Sequence, residues 1–410
     1  MKKHLTRREF GATSLATIAA TTIGSPSVWA AEKKYGPGVT DTEITIGQTI
    51  PFSGPASTFG AIGRTMAAYL KMVNAKGGVN GRKINLIAYD DAFSPPKAIE
   101  QTRKLVESDN VLAIWGTIGT ATNMAIAKYL NTAKVPQILV STASPKMNDP
   151  ENYPYTTAFY MPSDSEASVY AKWLLKNVPD AKIGILYQND DFGKGYVDGL
   201  KRGLGDKAAT MIVKEVPYDL SFPTVDSQVL QLQASGANVL FSASFPKFAA
   251  QAFTKANDLG WKPLHLIVGA AAPTLVRMDG VGKENAAGIV SGLFLKDIGE
   301  PTWDNEKPVQ DFRAFAREYM PDSAPSDPNL AMGYSEGETL VRILQQCGDD
   351  LSRENLIKQA TNVHGLQLSM FLPGITIDIS PEDRSAWKNL QIVKFDGKRW
   401  QPLGAVMSKN

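Results

Sequence analysis

The 410-residue chain is 43% hydrophobic and 20% charged, a globular composition with room for two or three domain-sized cores, which excludes disordered and collagen-like classes. Its 43 Lys+Arg stand against 41 Asp+Glu, a net charge of +2, so no global field selects nucleic acid or an anionic membrane. A single cysteine, Cys347, rules out an internal disulfide and any multi-cysteine metal site, and histidines only at positions 4, 265 and 364 argue against a zinc enzyme.

The first segment, "MKKHLTRREFGATSLATIAATTIGSPSVWAAEKK", has a basic start, a mildly apolar Ala/Thr/Ile stretch and "VWA" before Ala31, the small-residue spacing of a cleavage site. It is expected to be an export signal, residues 1–30, cut after Ala30. Arg7 and Arg8 followed by Glu9 and Phe10 match the twin-arginine pattern; a chance pair in a general secretory signal is the alternative, and both routes lead out of the cytoplasm. No later run approaches the ~18 consecutive apolar residues of a membrane span, so the mature protein is expected to be soluble.

From "EITIGQTI" onward, elements alternate. Strands are expected at "EITIGQTI", "KINLIAYD", "VLAIWG" and "PQILVS", with helices between them at "GAIGRTMAAYLKMVNAKGG", "PPKAIEQTRKLVESD" and "ATNMAIAKYLNTA". The rhythm pauses at "SPKMNDPENYPYTTAFYMPSD". It resumes with helix "SEASVYAKWLLKNV", strand "AKIGILYQ", helix "GYVDGLKRGL", strand "TMIVKEVPY", helix "PTVDSQVLQLQASG", strand "NVLFSA", helix "PKFAAQAFTKANDLG" and strand "PLHLIVG". "GIVSGLF" reads as a further strand, helices follow near Val309–Met320 and Asn329–Gln346, and Asp396-Gly397 in "LQIVKFDGKRWQPLG" is a hairpin signal. Two βαβ blocks in succession predict an α/β fold of two doubly wound parallel-sheet lobes.

In such sheets ligands bind beyond the carboxyl ends of the strands. Those ends are "IPFSGPASTFG", "WGTIGTAT", "VSTASPK", "YQNDDFGKG", "SASFPKF" and "VGAAAPT", mostly small, hydroxylated or aromatic, and they are expected to line one cleft. There is no G-x-x-x-x-G-K-[ST] and no H-E-x-x-H. Asp90-Asp91 and Asp190-Asp191 follow strands, where adjacent carboxylates are more often caps and hinge contacts than an acid–base pair. His265 reads as a packed strand histidine. Tryptophans 115, 173 and 261 read as core or rim residues, since no basic cluster accompanies them.

Taken together, "GQTIPFSGPASTFG", "VNAKGGVNGRKINLIAYDDAFSPPKAIEQTRKLV", "VPQILVSTAS", "AKIGILYQNDDFGKGYVDGLK" and "FAAQAFTKANDLGW" resemble the periplasmic solute-binding proteins of ABC transporters, in particular the leucine/isoleucine/valine-binding-protein-like family. The resemblance implies a type I periplasmic binding fold, with lobe one at residues 42–161 and 295–370, lobe two at 162–294 and 371–410, and ligand trapped between them. It implies no enzyme activity and no cofactor. The partners would be a small carboxylate and the permease subunits of an ABC transporter in the inner membrane, and the protein would act as a monomer.

It further implies that Gly119, Thr120 and Ala121 on one side and Ser141, Thr142 and Ala143 on the other hold the ligand carboxylate. Phe59, Phe192 and Phe245 would cover the ligand body, with Trp115 near the cleft. Where amino-acid-binding members carry an acid to pair the ligand's ammonium, this chain has Ala271. A buried ammonium without a carboxylate costs several kcal/mol, so an aromatic or branched acid lacking an α-amino group is expected, unless Asp190 or Asp191 reaches the ammonium from another direction. An amino-acid-binding protein, or a sensor subunit of the same fold, is the alternative.

Overall fold

The computed structural model describes residues 33–276 and 286–408; the expected export signal at residues 1–30, with Arg7 and Arg8, lies outside them. Two lobes are each built on one sheet. In the first, strands run in the order Lys83–Asp90, Glu43–Ile50, Ile114–Trp115, Gln137–Val140, Thr156–Ala158, all parallel. Glu43–Ile50 is buried almost throughout, Gln48 and Thr49 included, as befits a central strand covered by helices on both faces.

The second sheet has the order Trp400–Ser408, Asn389–Phe395, Val290–Leu293, Leu264–Ile267, Val239–Ala243, Ile183–Gln188, Ile212–Tyr218. Its core is parallel, and the first two strands form the expected antiparallel hairpin about Asp396-Gly397. Two stretches are shorter than their pattern suggests. "VLAIWG" pairs only at Ile114–Trp115, because Gly116 takes a positive φ of 61° and turns the chain out of the ladder. "PPKAIEQTRKLVESD" is α-helical over Pro95–Arg103 and then widens into a π turn at Lys104–Ser108. The strand Thr156–Ala158, inside the irregular stretch, has no periodicity that announces it.

Later elements return to the first lobe. The helix Pro328–Cys347 lies along Gly60–Ala75. Gly333 makes this approach possible: a Cβ there would sit 2.5 Å from the Ile62 carbonyl oxygen.

Three stretches pass between the lobes side by side. Ala158 bridges to Ser385 and Leu295 bridges to Phe371. The Ala158 N–H donates to the Arg384 carbonyl at 2.9 Å, and the Leu372 N–H to that of Phe294 at 2.8 Å. Rings fill this crossing: Phe294 stacks on Trp387 with centroids 4.1 Å apart and packs at 5.4 Å from Phe371, while Tyr160 sits 6.0 Å from Phe294. Among the described residues, no helix is long and apolar enough to cross a membrane, and no group of three or more His, Cys, Asp or Glu could hold a metal ion.

Candidate functional site

The stretch between Trp115 and the helix Thr120–Thr132 is almost devoid of large side chains. Gly119 caps that helix with φ 100° and no side-chain hydrogen bond, and a Cβ there would meet the Phe93 ring at 2.3 Å. The first backbone bond back to the cap comes from Asn123, whose N–H reaches the Gly119 carbonyl at 3.3 Å. The N–H groups of Thr120, Ala121 and Thr122 therefore precede the helical ladder, as at any helix start. Asn123 fixes the turn, donating from Nδ2 to the carbonyls of Gly119 (2.7 Å) and Thr117 (3.0 Å).

Beside this helix start, Ser141–Ser144 continue from the strand Gln137–Val140. Thr142 Oγ1 shares a 2.6 Å hydrogen bond with Thr120 Oγ1 and accepts from the Ser144 N–H at 3.2 Å. Ser141 Oγ hydrogen-bonds Glu336 Oε1, from the helix Pro328–Cys347.

The second lobe brings rings to this polar end. Phe192 lies in the first turn of the helix Asp191–Leu204, capped by Asp190, whose carboxylate accepts the N–H of Phe192 at 3.0 Å and of Gly193 at 3.2 Å. Phe245, at the cap of Pro246–Asp258, is the hub of an aromatic group: its centroid is 5.5 Å from Phe59, 5.4 Å from Phe93 and 5.7 Å from Phe192. Edge-on contacts of this kind add to what burial alone supplies.

Between the lobes lies a cleft with about 440 Å³ of empty space, part of it continuous with solvent. Phe59, Gly119, Thr120, Ser141, Thr142, Ala143, Phe192 and Phe245 all line it, so the structure brings these sequence-predicted residues together. Ala121 and Ala271 are not in the lining. Ala271 is buried at the start of the short helix Ala272–Leu275, and Ala270, one residue earlier, forms the wall. Trp115 is fully buried in the core and does not face the cleft. Ile62, Ile118 and Tyr160 also line it; the first two read as ordinary helix and turn aliphatics, and nothing in its spacing marks Tyr160.

Among the described residues, none that lines the cleft is charged. The aspartates considered in the sequence have other work. Asp190 is a cap and also accepts from Gln188 Nε2 at 2.6 Å, while Asp191 pairs with Lys146 of the first lobe at 2.9 Å. Asp90 accepts from Ser53 Oγ at 2.6 Å and from the Ala92 N–H at 2.9 Å. Burial alone would raise its pKa, but these bonds and Lys97 hold it well below the ordinary carboxylate range. Asp91 accepts from the Phe93 N–H at 2.8 Å, and its burial pushes it up to about 6.

Glu166 lies behind the Gly269–Ala271 turn with its oxygens occupied. Oε1 accepts from the Tyr170 hydroxyl at 2.5 Å and the Gly269 N–H at 2.8 Å, and Oε2 from the Tyr196 hydroxyl at 2.7 Å. The arrangement offers hydrogen-bond donors for an anion at one end, apolar rings at the other and, among the described residues, no acid facing the cavity.

Comparison with known proteins agrees with this architecture. A family model described as "Periplasmic binding protein" matches residues 43–399. "Leu/Ile/Val-binding protein homolog 7" of Brucella suis biovar 1 is 30% identical over 247 residues, covering 57% of this chain and 60% of that protein. "Leu/Ile/Val-binding protein homolog 8" of Brucella abortus is 26% identical over 265 residues, 62% of this chain and 64% of that one. The aligned part thus spans under two thirds of these curated relatives.

Solved structures align over more of the chain. A valine-bound branched-chain amino acid ABC transporter protein of Thermus thermophilus superposes with a TM-score of 0.79 at 15% identity, over 90% of this chain and 97% of its own. A fatty acid ABC transporter substrate-binding protein of Thermomonospora curvata superposes with a TM-score of 0.76 at 22% identity, over 92% and 95%.

Proposed function

The chain belongs to the periplasmic binding protein family, a solute-binding rather than an enzymatic family, and from that premise we propose that it captures a small aromatic or branched carboxylic acid and delivers it to an ABC permease. The observation that carries the ligand class is the charge pattern of the cleft. Thr120, Ser141 and Thr142 supply hydroxyls beside a helix start, Phe59, Phe192 and Phe245 supply rings, and the wall at Ala270 supplies no acid. A carboxylate gains charge-assisted hydrogen bonds there, whereas an α-ammonium would be buried without a partner. Glu166 is not among the residues that line the cleft, and three protein donors already bond its oxygens.

Relatives that bind valine and fatty acids share the fold, so an amino-acid ligand is the second reading. The crossing contacts at Ala158–Ser385 and Leu295–Phe371 support a division into lobe one, residues 42–161 and 295–370, and lobe two, 162–294 and 371–410. Export by the twin-arginine route, with release after Ala30, would place the protein in the periplasm beside its permease.

Calorimetry separates the ligand readings. We expect 3-phenylpropanoate and 4-methylpentanoate to bind about thirtyfold more tightly than phenylalanine and leucine, a difference of ~2 kcal/mol from the unpaired charge. Ala270→Glu should shrink or reverse that preference. Leucine binding as tight as that of its deaminated analogue would favour the amino-acid reading.

A further inference from the structure

Directly behind Ser141 sits a carboxyl group that the ligand-holding surface does not account for. Glu336 occupies the middle of the helix Pro328–Cys347 and is fully buried. Its Oε1 meets Ser141 Oγ, and its Oε2 is buried with no hydrogen-bond partner. The space around Oε2 is shared with uncharged groups: a Cβ on Gly116 would stand 2.9 Å from Oε2, 3.4 Å from Gln48 Nε2 and 2.0 Å from Met66 Cε.

The ionisable groups nearby do not neutralise it. Tyr160, from the crossing segment, lies close enough for Glu336 and Glu166 to add to the effect of burial in raising its phenol. Glu338, two residues along the helix, faces away: it accepts the Ser369 N–H at 3.1 Å and interacts with Lys296. Burial pushes the Glu336 carboxyl well above its usual range, opposed only by the bond to Ser141. A buried carboxylate with a bare oxygen and no cation is costly, and the group relieves that cost by holding a proton.

A serine hydroxyl has one proton to give. If Glu336 were ionised, Ser141 would have to spend that proton on it and would turn lone pairs toward the cleft. We propose that Glu336 is a positioning residue that carries a proton and donates it to Ser141 Oγ, leaving the Ser141 hydroxyl proton aimed at the ligand carboxylate. The cleft would then bind an anion because a second acid, one layer deeper, stays neutral. This deepens the carboxylate reading and rests on it.

The test follows the proton and the ligand together between pH 6 and 10, a range in which 3-phenylpropanoate stays ionised. The infrared C=O band of a protonated carboxylic acid should appear at pH 7 in the difference between wild type and Glu336→Gln. Calorimetry with 3-phenylpropanoate should show Kd weakening, by up to about tenfold per pH unit, only where that band fades. Glu336→Gln, whose amide donates at every pH, should bind within about threefold of wild type at pH 6 and with a flat profile. Ser141→Ala should weaken binding throughout and flatten it as well.

Absence of the band, its loss without any change in Kd, or failure of folded Glu336→Gln to bind would overturn the proposal. Should Glu336→Gln not fold, the wild-type and Ser141→Ala profiles decide. If 3-phenylpropanoate binds at no pH while the band is present, the ligand reading fails and the buried proton stands.

Discussion

His265 and the buried glutamates pull the pH dependence of stability in opposite directions. His265 packs on Phe253 with ring centroids 4.6 Å apart, and burial lowers it from 6.5 to about 4. It is neutral in the fold, so an unfolded chain binds the extra proton first. Its contribution is complete above pH 6.5 and is lost as pH falls toward 4, amounting to about 3 kcal/mol at most. Glu166 and Glu336 are raised by burial; their contribution is complete below the ordinary glutamate value and drains away as pH rises through the shifted one. His265→Leu should therefore flatten the acid limb of a urea-denaturation series between pH 6.5 and 4 while leaving the alkaline limb in place. Equal acid slopes in the two proteins would assign that limb to other groups.

At the scale of elements, the turn into Thr120–Thr132 couples fold and site most tightly. Gly119→Ala would need a side chain at φ 100° and within 2.3 Å of the Phe93 ring, and Phe93 in turn touches Phe245. We expect a loss of about 2 kcal/mol or more in stability together with weaker 3-phenylpropanoate binding, read by urea denaturation and calorimetry; an unchanged midpoint would show that the ring yields freely. This turn was legible because glycine and threonine between an apolar run and a helical pattern leave few other structures open. Strands flanked by clear turns were legible for the same reason. Thr156–Ala158 was not, since three residues carry no period. The role of Glu336 was hidden too, because a glutamate in a helical pattern looks like a solvated one until the partner helix, approaching over Gly333, is seen to cover it. The Ala271 assignment was off the cavity wall by one position, since the residue that faces a cleft after a strand depends on where the following turn begins.

At the scale of the whole molecule, the cleft is made by contacts that exist only when the lobes meet. Phe245 of the second lobe reaches Phe59 and Phe93 of the first, and Asp191 reaches Lys146. A ligand that touches both lobes favours this closed arrangement over an open one. Small-angle scattering with saturating 3-phenylpropanoate should accordingly give a smaller radius of gyration than the free protein, and superimposable profiles would indicate a rigid pocket. The Lys146–Asp191 pair bears on how the receptor responds to salt. Its side chains are 59% and 36% exposed, so it adds little to the equilibrium in salt. Since Kd is the ratio of release to capture rates, ions that screen the pair change residence time and capture together only within that small margin. The hand-over of cargo should therefore depend little on the ionic strength of the compartment in which it takes place, because apolar rings rather than this pair join the lobes.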